Sequence, residues 1–265
     1  VKVIGKPLSK SHEIVLTRDL MRMAKRVQAT AKAFATQAMA GNPRSVAAAL
    51  KASLAREFSD DKIAKLVGAK GKAIEAETSR AWAPLMRRAG FDRKKRKSRP
   101  TPKYEGEKLI DKWTKAAAKD ITSVRSEIAE AMRRDVIKAL ENGQSADDLV
   151  KMWRREGIPV EFGTVEGRLK TIANHQLHNL QAEVSAARAK AVGVKKEQWG
   201  TQGDSKVRPE HRALEGKVYD IDDPPGGRRP GQDPGCRCFA QAVIDDDVLS
   251  ALGLDGDVGA ADFEV

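Results

Sequence analysis

The sequence predicts a mainly α-helical protein: an elongated helical N-terminal region built of long helices, followed by a small C-terminal α+β module. Three observations predict it. Apolar residues recur at three- and four-residue spacing over most of the chain up to Gly193. Hydrophobic residues reach 40% while aromatic residues make up only 5%, and much of the apolar content is alanine, which suits slender helices better than a thick core. Beyond Gly193 the pattern changes to short extended pieces separated by glycine and proline.

The first helix is expected over residues 11–40, where Ile14, Leu16, Leu20, Met23, Val27 and Phe34 keep helical spacing and Gly41 can end it. Asn42-Pro43 is a restart signal, with Asn as N-cap and Pro at the first helical position, for a helix carrying Val46, Leu50, Leu54 and Phe58. Ser59-Asp60-Asp61 caps a third, running toward Gly90 through Ile63, Leu66, Val67, Ile74, Trp82 and Leu85. Gly68, Gly71 and Pro84 weigh against its continuity, since Gly costs about 1 kcal/mol and Pro about 3 inside a helix.

After a loop that ends in Pro100 and Pro102, residues 107–142 give the longest clean signal. A narrow stripe from Ile110 and Trp113 to Val136 and Ala139 suits coiled-coil-like packing. At 1.5 Å per residue that helix would span roughly 54 Å. Ser145 caps a short helix to Glu156, with Asp148 completing a capping box. Ile158-Pro159-Val160 is a short extended connector, and Thr164 opens another long helix to about Val192, closed by Gly193. Then come a strand around Trp199 (residues 195–202), a helical turn at 209–215, a short extended piece at 217–220, a Gly/Pro loop, and a closing strand at 238–244. The chain therefore divides into a helical N-terminal region (1–89), a basic loop (90–106), a long-helix region (107–193), an α+β module (194–244) and an acidic tail (245–265).

Charge narrows the partners. The chain of 265 residues carries a net +12, which favours a polyanion. Within residues 87–103, Arg87, Arg88, Arg93, Lys94, Lys95, Arg96, Lys97, Arg99 and Lys103 face Asp92 alone, whereas residues 245–265 are acidic without a single base. The basic run has no interleaved aromatics, so phosphate neutralisation is expected and base stacking is not. The acidic tail reads as a solvated terminus, with Val248, Leu249, Leu252 and Leu254 as a short amphipathic anchor in the alternative reading. No apolar run approaches the roughly 20 residues that span a bilayer, and charges interrupt residues 1–20, so neither a membrane partner nor a secretory signal is expected. Two cysteines one residue apart cannot staple a fold, which places the chain in a reducing cytoplasm.

The most specific pattern lies between Gly193 and Cys238. Trp199 is followed by Asp204, Arg208-Pro209, His211, the Leu214-Glu215-Gly216-Lys217 turn and Cys236-Arg237-Cys238. Over roughly residues 165–244 this order resembles the C-terminal module of phage Mu F-like minor head (head morphogenesis) proteins. In that family a long helix leads to a Trp-containing strand, D-x-x-x-R-P-x-H, a Leu-acidic-Gly turn and a closing Cys-Arg-Cys. Some family members carry C-P-x-C where this chain reads Arg208-Pro209-Glu210-His211, so one of those positions is Arg here and the other His. The family's I-A-R-T-E reads Ile172-Ala173-Asn174-His175-Gln176 here, and no role of that carboxylate carries over. Trp199, Asp204, Arg208, His211, Gly216, Cys236 and Cys238 are the expected structural motif, with an Asp204/Arg208 pair that looks buried.

His211, Cys236 and Cys238 are also candidate zinc ligands, with Asp204 as a conceivable fourth. The preferred reading from sequence alone needs no cofactor: His211 and Asp204 hold a hydrogen-bonded loop, and the thiols pack as small apolar groups. His175 and His178 share a helix face but lack the Glu of a His-Glu-x-x-His site, and read as ordinary surface or interhelix residues. Neither a phosphate loop nor a serine nucleophile with a placed base is present, so catalytic residues are not expected.

The resemblance implies a head morphogenesis protein of a tailed phage, in the capsid interior or at the portal vertex after assembly in the host bacterial cytoplasm. Its partners would be portal or major capsid protein and double-stranded DNA, the latter contacted without sequence preference through Arg93, Lys94, Lys95, Arg96, Lys97 and Arg99. The alternatives are a free-standing non-specific DNA-binding protein and, behind it, a metal-dependent hydrolase or toxin-like effector.

Overall fold

In the computed structural model, residues 2–41, 43–91, 104–160 and 163–254 are described, with the side chains of residues 2, 27–30, 43–47 and 57 left aside. The helices follow the apolar periodicity closely. They are α1 (Lys10–Ala40), α2 (Pro43–Glu57), α3 (Asp60–Arg88), α4 (Gly106–Glu141), α5 (Ala146–Glu156) and α6 (Val165–Ala191). Helix α3 runs through Gly68, Gly71 and Pro84 without a break. Tertiary packing overrides propensity there: a Cβ at position 71 would lie 3.0 Å from both Ile110 and Trp113, so the missing side chain lets α4 approach.

The chain forms two compact units. One comprises Glu13–Ala69 and Thr114–Asn174. Its buried side chains include Leu16, Leu20, Phe58, Ile63, Ile121, Ile128, Met132, Trp153, Ile158 and Leu169. Helix α5 starts as its sequence dictates: Ser145 accepts the Asp148 backbone N–H, and the Asp148 carboxylate accepts that of Ser145. On its inner face, the Trp153 indole donates to Asp135 Oδ2 at 2.7 Å. The extended connector is one strand of a two-residue ribbon, β2 (Pro159–Val160) against β3 (Gly163–Thr164).

The other unit comprises Val1–His12, Lys70–Trp113 and His175–Val265. It holds a four-stranded antiparallel sheet in the order β1-β6-β4-β5. These strands are β1 (Lys2–Ile4), β4 (Lys196–Gly200), β5 (Val218–Asp220) and β6 (Phe239–Ile244). Three of them match the expected extended pieces. The first does not: β1 pairs with β6, Val3 opposite Val243, and nothing local marks three residues as a strand.

One apolar cluster packs Ile4, Ala242 and Ile244 of the sheet against Trp82 and Leu85 of α3, and against Ala186 and Ala189 of α6. A last helix, α8 (Asp246–Ala251), adds Val248, Leu249 and Leu252 to this cluster. Asp245 caps it by accepting the Val248 N–H at 3.0 Å. The start of the acidic tail is therefore an ordered amphipathic helix, a correction to the solvated terminus. The apolar face it buries offsets the ordering entropy that charge alone would leave unopposed. Residues 255–265 lie outside the described residues, and among the described residues no helix is long and apolar enough to cross a membrane.

Candidate metal centre

Strand alternation builds the floor of the site. On β4, Glu197 and Trp199 are two residues apart and both buried, so they share the inner face. Trp199 packs edge-on against Tyr219 of β5, with ring centroids 6.2 Å apart, and against His211, at 5.5 Å. His211 is carried by the one-turn helix α7 (Pro209–Arg212), which Pro209 opens. The chain then turns back through Leu214-Glu215-Gly216. The Gly216 N–H reaches the Trp199 carbonyl at 2.9 Å, and Trp199 donates in turn to Lys217. Gly216 has φ +75°, a conformation that strains any residue with a Cβ.

The loop between β5 and β6 delivers the two cysteines onto this floor. Cys236, Cys238, Trp199 and Tyr219 form a small buried cluster with Leu214 against it. His211 Nδ1 lies 3.3 Å from Cys236 Sγ and 3.7 Å from Cys238 Sγ, and the three side chains are buried with their ligand atoms within 4.8 Å of one another. The other imidazole nitrogen, Nε2, shares a hydrogen bond of 3.1 Å with Asp233 Oδ2. Asp233 is fixed from its second oxygen by Arg228 at 2.7 Å. Burial raises the Asp233 carboxyl, but Arg228 and His211 outweigh it and hold the group below its ordinary value.

The sulfurs are not equivalent. The Cys238 N–H points at Cys236 Sγ at 3.4 Å. The Cys236 thiol is pulled down to about 5, chiefly by the hydrogen bond from the Cys238 thiol and against the opposing effect of burial. Cys238, as the donor, is pushed up.

The expected Asp204/Arg208 pair does not form. Asp204 is exposed and accepts from Arg237 through both carboxylate oxygens at 2.8 Å; that hydrogen bond is the main reason its carboxyl lies below the ordinary value. Arg208 donates instead to the Pro234 carbonyl. Asp204 and Arg208 lie in the irregular stretch before α7, where the two side chains take different partners. Asp204 is not among the three residues that converge.

Of the other sequence expectations, Gly216, Trp199, His211, Cys236 and Cys238 come together as described. Arg93, Lys94, Lys95, Arg96, Lys97 and Arg99 lie outside the described residues. His178 is buried on α6, not a surface residue. Asp233 and Glu197 were not singled out from the sequence. The signal for Asp233 was its place in Asp233-Pro234-Gly235, a turn that leads straight into Cys236.

Residues 130–241 match the family described as Phage Mu protein F like protein. This stretch is Mu F-like. The match starts inside α4, well before the α+β module, and stops three residues short of the end of β6. An uncharacterized protein of Haemophilus influenzae (strain ATCC 51907 / DSM 11121 / KW20 / Rd) is 32% identical over 126 residues, which is 47% of this chain and 27% of the relative. The chain thus spans about a quarter of that relative's length. No solved structure matches the chain. The Mu F-like segment takes in α5, α6 and all three members of the His-Cys-Cys cluster.

Proposed function

We propose that this protein is a minor head-morphogenesis component of a tailed phage. It acts during capsid assembly in the host bacterial cytoplasm, docks on portal or major capsid protein, and lies in the particle beside packaged double-stranded DNA. The observation that carries this reading is the Mu F-like match over residues 130–241. Two features support it. The net charge of +12 suits a neighbour of dense phosphate. Helices of 31, 29, 36 and 27 residues offer extended faces for protein contact. In this role the protein is structural, not catalytic. Arg93, Lys94, Lys95, Arg96, Lys97 and Arg99 screen phosphates without reading bases, because Lys and Arg on phosphate carry no sequence information.

Quantitative mass spectrometry of purified particles and empty proheads tests the reading. Low, reproducible stoichiometry in both is the expected result; absence from both overturns it and leaves a free-standing DNA-binding protein as the better account. The DNA component is tested separately by reversing the six charges. Weaker binding with a shallower salt dependence is expected, and unchanged binding removes the basic run from the interface.

A further inference from the structure

We propose that His211, Cys236 and Cys238 form a zinc site, with His211 Nδ1 and the two sulfurs as ligands, that ties α7 to the β5–β6 loop. The spacings fit a tetrahedral ion. With Zn–S near 2.3 Å and Zn–N near 2.0–2.1 Å, two ligand atoms at the tetrahedral angle are about 3.6 Å apart for N and S. The observed N···S separations are 3.3 and 3.7 Å.

Four further observations point to a metal and not to thiols packed as small apolar groups. First, His211 is oriented as a metal-bound imidazole is, with its far nitrogen on a carboxylate, Asp233, that is itself pinned by Arg228. An apolar packing cluster has no need of that second layer. Second, the Cys238 backbone N–H donates to the Cys236 sulfur at 3.4 Å, as suits a sulfur that carries charge.

Third, the Trp199 indole N–H is buried without a hydrogen-bond partner, in the same buried cluster as the two sulfurs. A metal-bound thiolate supplies the acceptor that a neutral thiol supplies poorly. Fourth, a cavity of about 20 Å³ opens beside the three side chains, room for one water-sized occupant.

The donor set selects the ion. Two thiolates and an imidazole in a tetrahedral arrangement suit zinc, whereas calcium, magnesium and manganese prefer oxygen. The three ligand side chains line the small cavity together with Lys206, Arg208 and Arg237, its charged neighbours. Among the described residues no carboxylate lines that cavity, so the ion has a water or small anion as its fourth ligand and lacks the general base of a hydrolase. The site joins residue 211 to residues 236 and 238, closing a loop with little core of its own, and this assignment does not depend on the head-protein reading.

The test uses the full chain, purified under reducing conditions and analysed for metal by mass spectrometry, then exchanged with cobalt(II). One zinc per chain is expected. The cobalt form should show thiolate-to-cobalt charge-transfer absorption and the intense visible bands of a tetrahedral site. The Cys236→Ser, Cys238→Ser double variant should lose both. Because that variant could fail to fold, Asp233→Asn provides the second arm: it keeps all three ligands and should weaken cobalt binding roughly 10–100-fold with unchanged circular dichroism. A folded wild-type chain that takes up neither zinc nor cobalt and shows no charge-transfer band overturns the proposal, as does an Asp233→Asn chain that binds cobalt as tightly as wild type.

Discussion

Glu197 sits directly across from Tyr219 in the β4–β5 pair and accepts its phenolic hydrogen at 3.1 Å, with none of the glutamate exposed. The second carboxylate oxygen has no hydrogen-bond partner, and the Arg229 guanidinium stands off at 3.9 Å. Burial pushes the Glu197 carboxyl above its ordinary value of 4.5, only partly opposed by Arg229 and Tyr219. Burial likewise pushes the Tyr219 hydroxyl up, reinforced by the negative charge of Glu197.

A raised carboxyl contributes stability that is fully present below 4.5 and is lost as pH climbs through the raised value. The Glu197→Gln variant lacks that titration. The difference in melting temperature, wild type minus variant, should therefore fall steadily as pH rises from 4.5 toward neutrality. Thermal scans of both proteins across that range check it; a difference that is flat with pH, or grows, contradicts the burial argument.

Trp153 is 1% exposed and tethered to Asp135. Trp153→Ala should cost about 3–5 kcal/mol in urea unfolding. Trp153→Phe keeps most of the apolar contact but leaves Asp135 without its donor, and should cost about 1–3 kcal/mol. Equal losses for both variants would mean that the hydrogen bond, not the packing, dominates.

The capping box at the start of α5 gives a smaller and cleaner effect. Ser145→Ala removes the acceptor for the Asp148 N–H and should lower stability by about 1 kcal/mol. The midpoint of chemical denaturation should move while its slope stays constant.

Gly231 has φ +89°, and a Cβ there would lie 3.0 Å from the His178 carbonyl oxygen and 3.2 Å from that of Cys238. Both neighbours are backbone and cannot swing away. Gly231→Ala should destabilise the module by about 1–2 kcal/mol from backbone strain alone, and Gly235→Ala, with open space around it, by no more than that strain. Comparing the two variants by thermal denaturation separates strain from collision.

What was legible in the sequence followed from how local the physics is. The stripe through Ile110, Trp113 and Val136 and the Ser145/Asp148 box depend on neighbours three or four residues away, so the order of letters holds the information. The partners of Asp204 depend on where a loop 33 residues downstream returns; spacing offered Arg208, and folding supplied Arg237. Asp233 was hidden for the same reason, since its partner His211 lies on another element. Glu197 was hidden by its type, because a lone Glu in a short strand ordinarily faces water. The helix at Asp246–Ala251 was half legible: Val248, Leu249 and Leu252 stood out as an amphipathic anchor, and they go inward, but the run of aspartates weighed toward a solvated terminus.

The pairing of β1 with β6 sets an order in time. Among the described strands, residues 2–4 leave the ribosome first, yet they pair only with residues 239–244. At 5–20 residues per second of synthesis, that first strand waits roughly 10 to 50 s for its neighbour. The β4–β5 pair, separated by fewer than twenty residues, can close long before. During that interval Ile4 lacks its partner strand and cannot take its place in the apolar cluster. Slowing synthesis late in the message would lengthen the exposure without changing a single contact of the finished molecule.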